Sequence, residues 1–592
     1  MRVADYIFDK LASIGVKTPF VITGRGALFL NDALAKRKDF EPCFVHHEQS
    51  ASFAAIAVSE VTDTLGCAVV STGCASTNCI TGVLSAWQDG VPAIFISGQN
   101  TLSETTRHTQ SQIRTFGQQE ADIIELVTPI TKYAVMVSDP AQIRFELEKA
   151  LYLAQEGRKG PVWIDVPLDV QNMRVDVDTM ASFNPSNHET LVSEGDISKL
   201  IADLRAAERP VVMIGSGIKL SKTEAALVQL VERYNLPLVY TASAADVYGA
   251  KHALSIGSIG SMGCSRAGAF TVQNADFVLV LGSRLTSITT GSDYCKFARH
   301  AKVTVVDIDR DEHSKQGVHI DHFIHADLLP FIERLLTENL EQTLPSWVET
   351  CFDWKRSLKS THKQTSKEEV VDLYDLADAL SETMPKNGVF VCDSGFASVI
   401  LPTNIEFSDG QRCVHPVSQG AMGFALPAAL GIAKCSERPT IVVIGDGSIM
   451  MNLQELQSIS DYNANVKVFV VNNNAYAIIR RRQKELFRNR TIGTDDSNGV
   501  HCPDFSKVAE CFKLKYQLIE NSENLSQRIS DVMQLEGPVL CEIMGLENQQ
   551  YVEVAYAKTA SKKFVRRPLE DQWPFLEREL FLSKMIVEPI DQ

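Results

Sequence analysis

The stretch Val442–Ile478, VVIGDGSIMMNLQELQSISDYNANVKVFVVNNNAYAI, constrains the fold more than any other part of the chain. Pro439 to Ile444 and Val466 to Val471 are runs of buried-type β-branched residues, and each ends on a polar knot, Gly445-Asp446-Gly447 or Asn472-Asn473-Asn474. Between them Leu453, Leu456 and Ile459 recur at helical spacing. A strand, a crossover helix and a second strand make the two strands parallel. Parallel neighbours end on the same edge of the sheet, where open α/β folds bind ligands. Asp446 and Asn473 are therefore expected side by side, with a helix beginning near Asn452. Their hard oxygens suit Mg²⁺, which takes one or two carboxylates and completes its shell with phosphate oxygens and water. A helix amino terminus favours an anion at the same place. Together they describe a diphosphate–Mg²⁺ site.

A chain of 592 residues is too long for one core. Three α/β blocks are legible. The first carries TPFVIT, GCAVVST and PAIFISG and closes on GPVWIDVP. The second carries RPVVMIGSG, DFVLVLGSR and KVTVVDIDRD, and the third NGVFVCDSG, TIVVIGDGS, VKVFVVNNN and PVLCEIMG. Polar stretches separate them, VDVDTMASFNPSNHET and LPSWVETCFDWKRSLKSTHKQTSKEE. The expectation is an α/β protein of three consecutive doubly wound parallel-sheet domains, 1–172, 190–340 and 368–550, with an ordered tail at 551–592. In that tail Trp573, Phe575, Leu576 and Phe581 are costly to expose.

The net charge of −16 argues against a general nucleic-acid or membrane-surface binder, since both need a basic footprint. Thirteen cysteines without a CxxC or Cys/His metal spacing read as reduced thiols of a cytoplasmic protein. MRVADYIFDKLASIGV reads as a first helix rather than a signal peptide. No apolar run approaches the roughly 20 residues of a membrane helix.

The Gly-Asp-Gly…Asn-Asn pattern resembles the thiamine-diphosphate motif, and the likeness extends along nearly the whole chain to acetolactate synthase-like enzymes. It implies pyrimidine-binding, Rossmann-like central and diphosphate-binding domains. Asp446, Asn473 and the carbonyl of Ala475 are then the metal ligands. FVHHEQSASFAAIAVSEVT resembles the catalytic-glutamate segment and places that glutamate at Glu48. STGCASTNCITGVLSAWQDGVPAIFISGQ matches another family segment, although Cys74 and Ala75 replace a Pro-Gly pair. VSQGAMGFALPAALGIA matches the stretch that bends the cofactor, with Met422 as the apolar wedge and the Gly420 carbonyl as acceptor for the aminopyrimidine. Further cofactor contacts are implied at Thr77, Asn78, Gly395, Gly445, Gly447, Ser448 and Ile478. A carboxyl at Glu48 can tautomerise the aminopyrimidine, and burial favours the protonated carboxyl this needs. His46 and His47 beside it invite a metal reading, but neighbours on an extended chain point to opposite faces.

VLVLGSRLTSITTG and VVDIDRDE resemble the flavin-binding segments of acetolactate synthases, with Arg284, Asp307 and Asp327 at matching positions for FAD. Ile288 stands where that family has a second arginine, and many relatives bind no flavin, so the block is either a flavin site or a structural module.

SQIRTFGQQEADIIELVTPITKYA resembles the carboligases, with Gln119 at their catalytic glutamine and Gln118 in place of a phenylalanine. After the Asn-Asn motif, acetolactate synthases carry a tryptophan that shapes a small keto-acid pocket. Here AIIRRRQKELFRNR has Arg482 there, on a helical face with Ile478, Ile479 and Leu486, and so expected to point inward. The pattern is most similar to enzymes that attach a two-carbon unit from pyruvate to nucleotide-linked deoxyketosugars, with Arg482 reading the anionic acceptor. The alternative is acetolactate synthase proper, with a keto-acid acceptor, or a simple 2-keto-acid decarboxylase. A catalytically silent relative is disfavoured because Glu48, Asp446 and Asn473 are all present. The implied assembly is a homodimer or homotetramer.

Overall fold

The computed structural model describes residues 1–185, 192–340, 344–358, 369–559 and 561–590. The starts expected at 190 and 368, and parts of both polar stretches, lie outside the described residues.

Three six-stranded sheets, each wholly parallel, follow one another. The first contains β1 Phe20–Val21, β2 Cys43–Phe44, β3 Gly66–Val70, β4 Ala93–Gln99, β5 Tyr133–Met136 and β6 Pro161–Pro167, in the order β2-β1-β3-β4-β6-β5. The central sheet contains β7 Pro210–Ile214, β8 Leu238–Tyr240, β9 Ser255–Ser258, β10 Phe277–Leu281, β11 Lys302–Asp307 and β12 His322–His325, in the order β12-β11-β10-β7-β8-β9. The third contains β13 Val389–Cys392, β14 Arg412–Val414, β15 Thr440–Gly445, β16 Val466–Asn472, β17 Lys515–Ile519 and β18 Val539–Met544, in the order β14-β13-β15-β16-β18-β17. The interior strands β4, β6 and β16 are buried at every residue, as parallel sheets covered on both faces require.

Each order has one switch between its two halves, and the first and third also fold back at the far edge, where β6 lies inside β5 and β18 inside β17. The switch lies between β1 and β3, between β7 and β10, and between β13 and β15, and these switch points are where doubly wound sheets bind ligands. The central order, read from β9 to β12, is the one associated with dinucleotide binding.

The first and third domains pack directly together through the helices Glu48–Val61 and Ala425–Cys435. Phe53 and Phe424 meet edge-on at 5.2 Å. Gly431 admits Ala54 so closely that a Cβ there would lie 2.6 Å from the Ala54 carbonyl oxygen. The polar stretch after the central domain begins with a helix, Pro345–Ser357, that the composition did not announce. Its Trp347 and Trp354 are buried, and their indoles donate to the carbonyls of Pro210 and Lys584. The tail also returns to the central domain. Phe581 is fully buried against Phe270, whereas Phe575 stays at the surface. No helix among the described residues is long and apolar enough to cross a membrane, and all thirteen cysteines are free thiols.

Candidate active site

The carboxyl edge of the third sheet is built as a cradle. Gly445 of β15 pairs with Val471 of β16, which sets Asp446 beside Asn473. The Asp446 carboxylate is buried and accepts the N–H groups of Gly447 at 2.8 Å, Asn473 at 3.1 Å and Ala475 at 3.3 Å. Burial pushes its pKa up, and these N–H groups oppose the rise. The Asn473 amide oxygen accepts from the Ala475 N–H at 3.2 Å. Gly395 and Gly420 have φ of +87° and +61°, and nothing lies within 4 Å of a Cβ built at either, or at Gly445. Open space where side chains are missing, beside a carboxylate, an amide and a carbonyl, fits a ligand that carries its own oxygens to a metal. No cluster of three or more His, Cys, Asp or Glu able to hold a metal occurs among the described residues. A metal here must draw on phosphate and water, the usual state of Mg²⁺.

Two details differ from the sequence reading. The helix expected near Asn452 begins at Glu455, after a 3₁₀ turn at Ile449–Met451. Gly447 faces the Tyr476 ring, which a Cβ would strike at 2.0 Å, so this glycine admits a neighbouring side chain. Sequence reasoning missed Asp393. This buried carboxylate follows β13 and accepts from the N–H groups of Ser394, Gly423 and Ala425 and from the Ser448 hydroxyl at 2.7 Å. It ties the Met422 loop to the Asp446 loop and engages the Ser448 hydroxyl in doing so. The signal was present: Asp393 ends its strand just as Asp446 does. Met422 itself is partly exposed, at 37%. Ile478 lies in the first turn of the helix Ala477–Leu486.

At the first sheet's edge, Glu48 opens the helix Glu48–Val61 and accepts from the Asn78 amide at 2.9 Å. It is half-buried within this single chain. Thr77 and Asn78 belong to the short helix Cys74–Asn78 after β3. Gln119 is exposed at φ +58°, and its carbonyl lies so near Gly73 that a Cβ there would approach to 1.8 Å. His46 bonds Ser458 at 2.9 Å, while His47 caps the helix by accepting the Gln49 N–H at 3.0 Å. The two histidines diverge into structural roles. Asn452 bridges the domains, donating to the Gln49 side chain and the Gly423 carbonyl.

Arg482 does not point inward. Its side chain is 46% exposed and already pairs with Glu553 at 3.0 Å and Glu485 at 3.1 Å. Ile479 and Leu486, on the face taken as buried, are 52% and 70% exposed. The buried cation is Arg480, compensated by Asp495 and Glu547. Helical periodicity found a face, but two of the glutamates that pair these arginines, Glu547 and Glu553, come from far along the chain.

A cavity of about 790 Å³ runs along the central switch point, from Gly215, Ser216 and Arg284 to Val417 and Gly420. Arg284 lines it but donates to the Gln88 carbonyl at 2.9 Å and the Ser418 hydroxyl at 3.0 Å, and faces Glu312 at 3.2 Å. Asp307 and Asp327 do not line it. Asp307 accepts the Asp309 N–H and faces His313, and Asp327 caps the helix Leu328–Leu336. Of the three residues expected for FAD, the structure brings only Arg284 to the cavity.

Three family models match in chain order: "Thiamine pyrophosphate enzyme, N-terminal TPP binding domain" over residues 1–122, "Thiamine pyrophosphate enzyme, central domain" over 197–335, and "Thiamine pyrophosphate enzyme, C-terminal TPP binding domain" over 393–543. The chain is 28% identical to the acetolactate synthase large subunit of Lactococcus lactis subsp. lactis, covering 96% of this chain and 97% of that protein. It is 28% identical to the acetolactate synthase isozyme 3 large subunit of Escherichia coli, over 90% and 92%. It is 29% identical to the acetolactate synthase large subunit of Buchnera aphidicola, over 86% and 88%.

Proposed function

Since the chain belongs to the thiamine pyrophosphate enzymes and resembles acetolactate synthases, we propose that it decarboxylates pyruvate and transfers the two-carbon unit to a ketone acceptor. The observation that carries this reading is the open, glycine-lined edge beside Asp446 and Asn473. Asp446, Asn473 and the Ala475 carbonyl would hold Mg²⁺ beside the diphosphate. Thiamine diphosphate, when bound, supplies the electron sink that decarboxylation needs. Glu48, held by Asn78, moves a proton on the pyrimidine side, and the Gly420 carbonyl and Met422 orient the group. Gln119 stands on the acceptor side. Glu48 and Asp446 come from different domains, and in this reading the site is completed between two copies in a homodimer or a dimer of dimers.

The acceptor in this proposal is a nucleotide-linked deoxyketosugar, supported by the lack of the pocket-shaping tryptophan that acetolactate synthases carry where Arg482 stands. Acetolactate synthase proper is the second reading, favoured by the names of the relatives. FAD is proposed as a ligand of the central cavity on the strength of its size and of Arg284, and no reaction step passes through it. Mass spectrometry of products from pyruvate alone and from pyruvate with nucleotide-linked ketosugars separates the readings. Efficient acetolactate formation with no response to any nucleotide-sugar overturns the leading one. Colourless, fully active protein that cannot be reconstituted removes FAD.

A further inference from the structure

The loop after β1 flanks the switch point of the first sheet, opposite the Gly73–Asn78 segment after β3. Its backbone is clamped from every side. The Gly26 N–H donates to Ser71 Oγ at 3.0 Å, and the Gly26 carbonyl accepts from the Gln171 amide at 2.6 Å. A Cβ at Gly24 would lie 2.5 Å from Ser71 Cβ, and one at Gly98 would lie 2.0 Å from the Gly26 oxygen. Between Gly24 and Gly26 stands Arg25, whose side chain is exposed and contributes nothing to that clamping.

Arg25 donates to the side-chain oxygen of Gln118, and no carboxylate pairs with it among the described residues. Gln118 is itself held, since its carbonyl accepts from the Asn100 amide at 3.1 Å. Other arginines differ. Arg107, on the same edge, pairs with Asp122 and Glu125, and Arg482 pairs with Glu553 and Glu485. In a protein of net charge −16, Arg25 is one of several guanidiniums held by neutral acceptors, and it lies at the first sheet's switch point. Gln118 engages one of its five donors and leaves a planar fork matched to carboxylate or phosphate oxygens. A glutamate at 118 would cancel the charge, whereas glutamine fixes direction and leaves the charge available.

We propose that Arg25, positioned by Gln118, binds an anionic oxygen group of the substrate at the first sheet's switch point. The group is either the carboxylate of the 2-keto acid or a phosphate of the nucleotide-linked acceptor. The inference rests on the proposed carboligase reading, and it makes Gln118 the positioning residue for the anion-binding arginine.

The test uses the full-length enzyme with thiamine diphosphate and Mg²⁺, with pyruvate as substrate and UDP and dTDP as competing probes. Arg25→Ala is expected to raise either the pyruvate KM or the nucleotide Ki by roughly 10- to 150-fold, with a much smaller change in kcat. Gln118→Ala raises the same constant by less, and Arg25→Lys recovers part of the loss. A rise in pyruvate KM assigns the carboxylate, and a rise in nucleotide Ki assigns the phosphate. Arg25→Ala with both constants at wild-type values, or with a loss confined to kcat, overturns the proposal. If the wild type turns over no pyruvate, the carboligase reading fails instead. Calorimetric binding of pyruvate and UDP to wild type and Arg25→Ala then decides Arg25 alone, with equal affinities overturning it.

Discussion

The first and third domains use one scaffold twice. Renumbered from their own first strands, β2-β1-β3-β4-β6-β5 and β14-β13-β15-β16-β18-β17 are the same order. In each, the helix after the second strand packs on its counterpart, Glu48–Val61 against Ala425–Cys435. The switch loops differ in charge. In the third domain they carry two buried carboxylates, Asp393 and Asp446. In the first they carry hydroxyls, Ser71 and Thr72, and a cation, Arg25. The strand order thus fixes where a ligand sits, while the loop residues decide its chemistry. A metal-borne diphosphate suits the acidic edge, and an anion that brings no metal suits the basic one.

The largest expected effects break this division of labour from either side. Asp446→Ala should weaken Mg²⁺-dependent binding of thiamine diphosphate by roughly 100-fold or more, since even indirect partners of a metal site are worth 10- to 100-fold. Glu48→Gln should bind the cofactor nearly as wild type yet lose roughly 10²- to 10⁴-fold in decarboxylation rate, the usual span for a proton-transferring group. Cofactor titration and initial rates on the two variants check both. Equal loss of cofactor binding in both variants would merge the roles that the comparison separates. Mixing the two inactive variants tests the assembly. A site shared between two copies returns about a quarter of wild-type activity, because half the dimers are mixed and each holds one intact site. No recovery after verified subunit exchange confines the site to one chain.

Those positions were readable because parallel strands convert sequence order into spatial order. The knots after β15 and β16 had to share an edge, and Asp446 and Asn473 do so. The three-sheet architecture was legible for the same reason. What was not legible depends on partners far away in the chain. The helix Ala477–Leu486 has a regular pattern, but Glu547 and Glu553, from beyond β18, decide which arginine is buried. Trp347 and Trp354 are two helical turns apart in a stretch read as a polar connector, and they are buried only because the central sheet and the tail lie over them. Arg25 went unnoticed because its meaning lies in a missing carboxylate, which no motif announces.

A smaller effect sharpens the contrast between free and compensated cations. Arg482 shares Glu553 and Glu485 and is half exposed, so an anion must compete with two carboxylates and with water. Arg482→Ala is expected to change the acceptor KM by about fivefold or less, in keeping with an exposed pair worth under about 1 kcal/mol. That is well below the effect expected of Arg25→Ala. Steady-state kinetics on both variants ranks them, and a larger loss in Arg482→Ala would return the anion-reading role to the helix after the Asn-Asn motif.

The smallest expected effect concerns stability rather than rate, and it compares the two ends of one helix. Glu48 opens the helix Glu48–Val61 at the candidate site, and Glu60 in its last turn lines the central cavity. Asn78 serves the Glu48 carboxylate, whereas no group among the described residues donates a hydrogen bond to the Glu60 carboxylate. Burial pushes the Glu60 pKa from 4.5 up to about 8, with Lys219 and Arg412 opposing the rise and Asp89 and Asp246 adding to it. A raised acid means that the folded protein holds its proton more tightly than the unfolded chain. Stability from this group is therefore present below about pH 4.5 and is lost as pH climbs through 8. Glu60→Gln cannot ionise and escapes that loss. Its stability should match wild type near pH 4.5 and exceed it above pH 8 by on the order of 1–3 kcal/mol, a discounted figure because the cavity admits water. Unfolding followed by circular dichroism should show the variant's advantage as roughly 1–3 °C at high pH. An advantage independent of pH would mean that the cavity solvates Glu60 as fully as bulk water solvates an exposed glutamate.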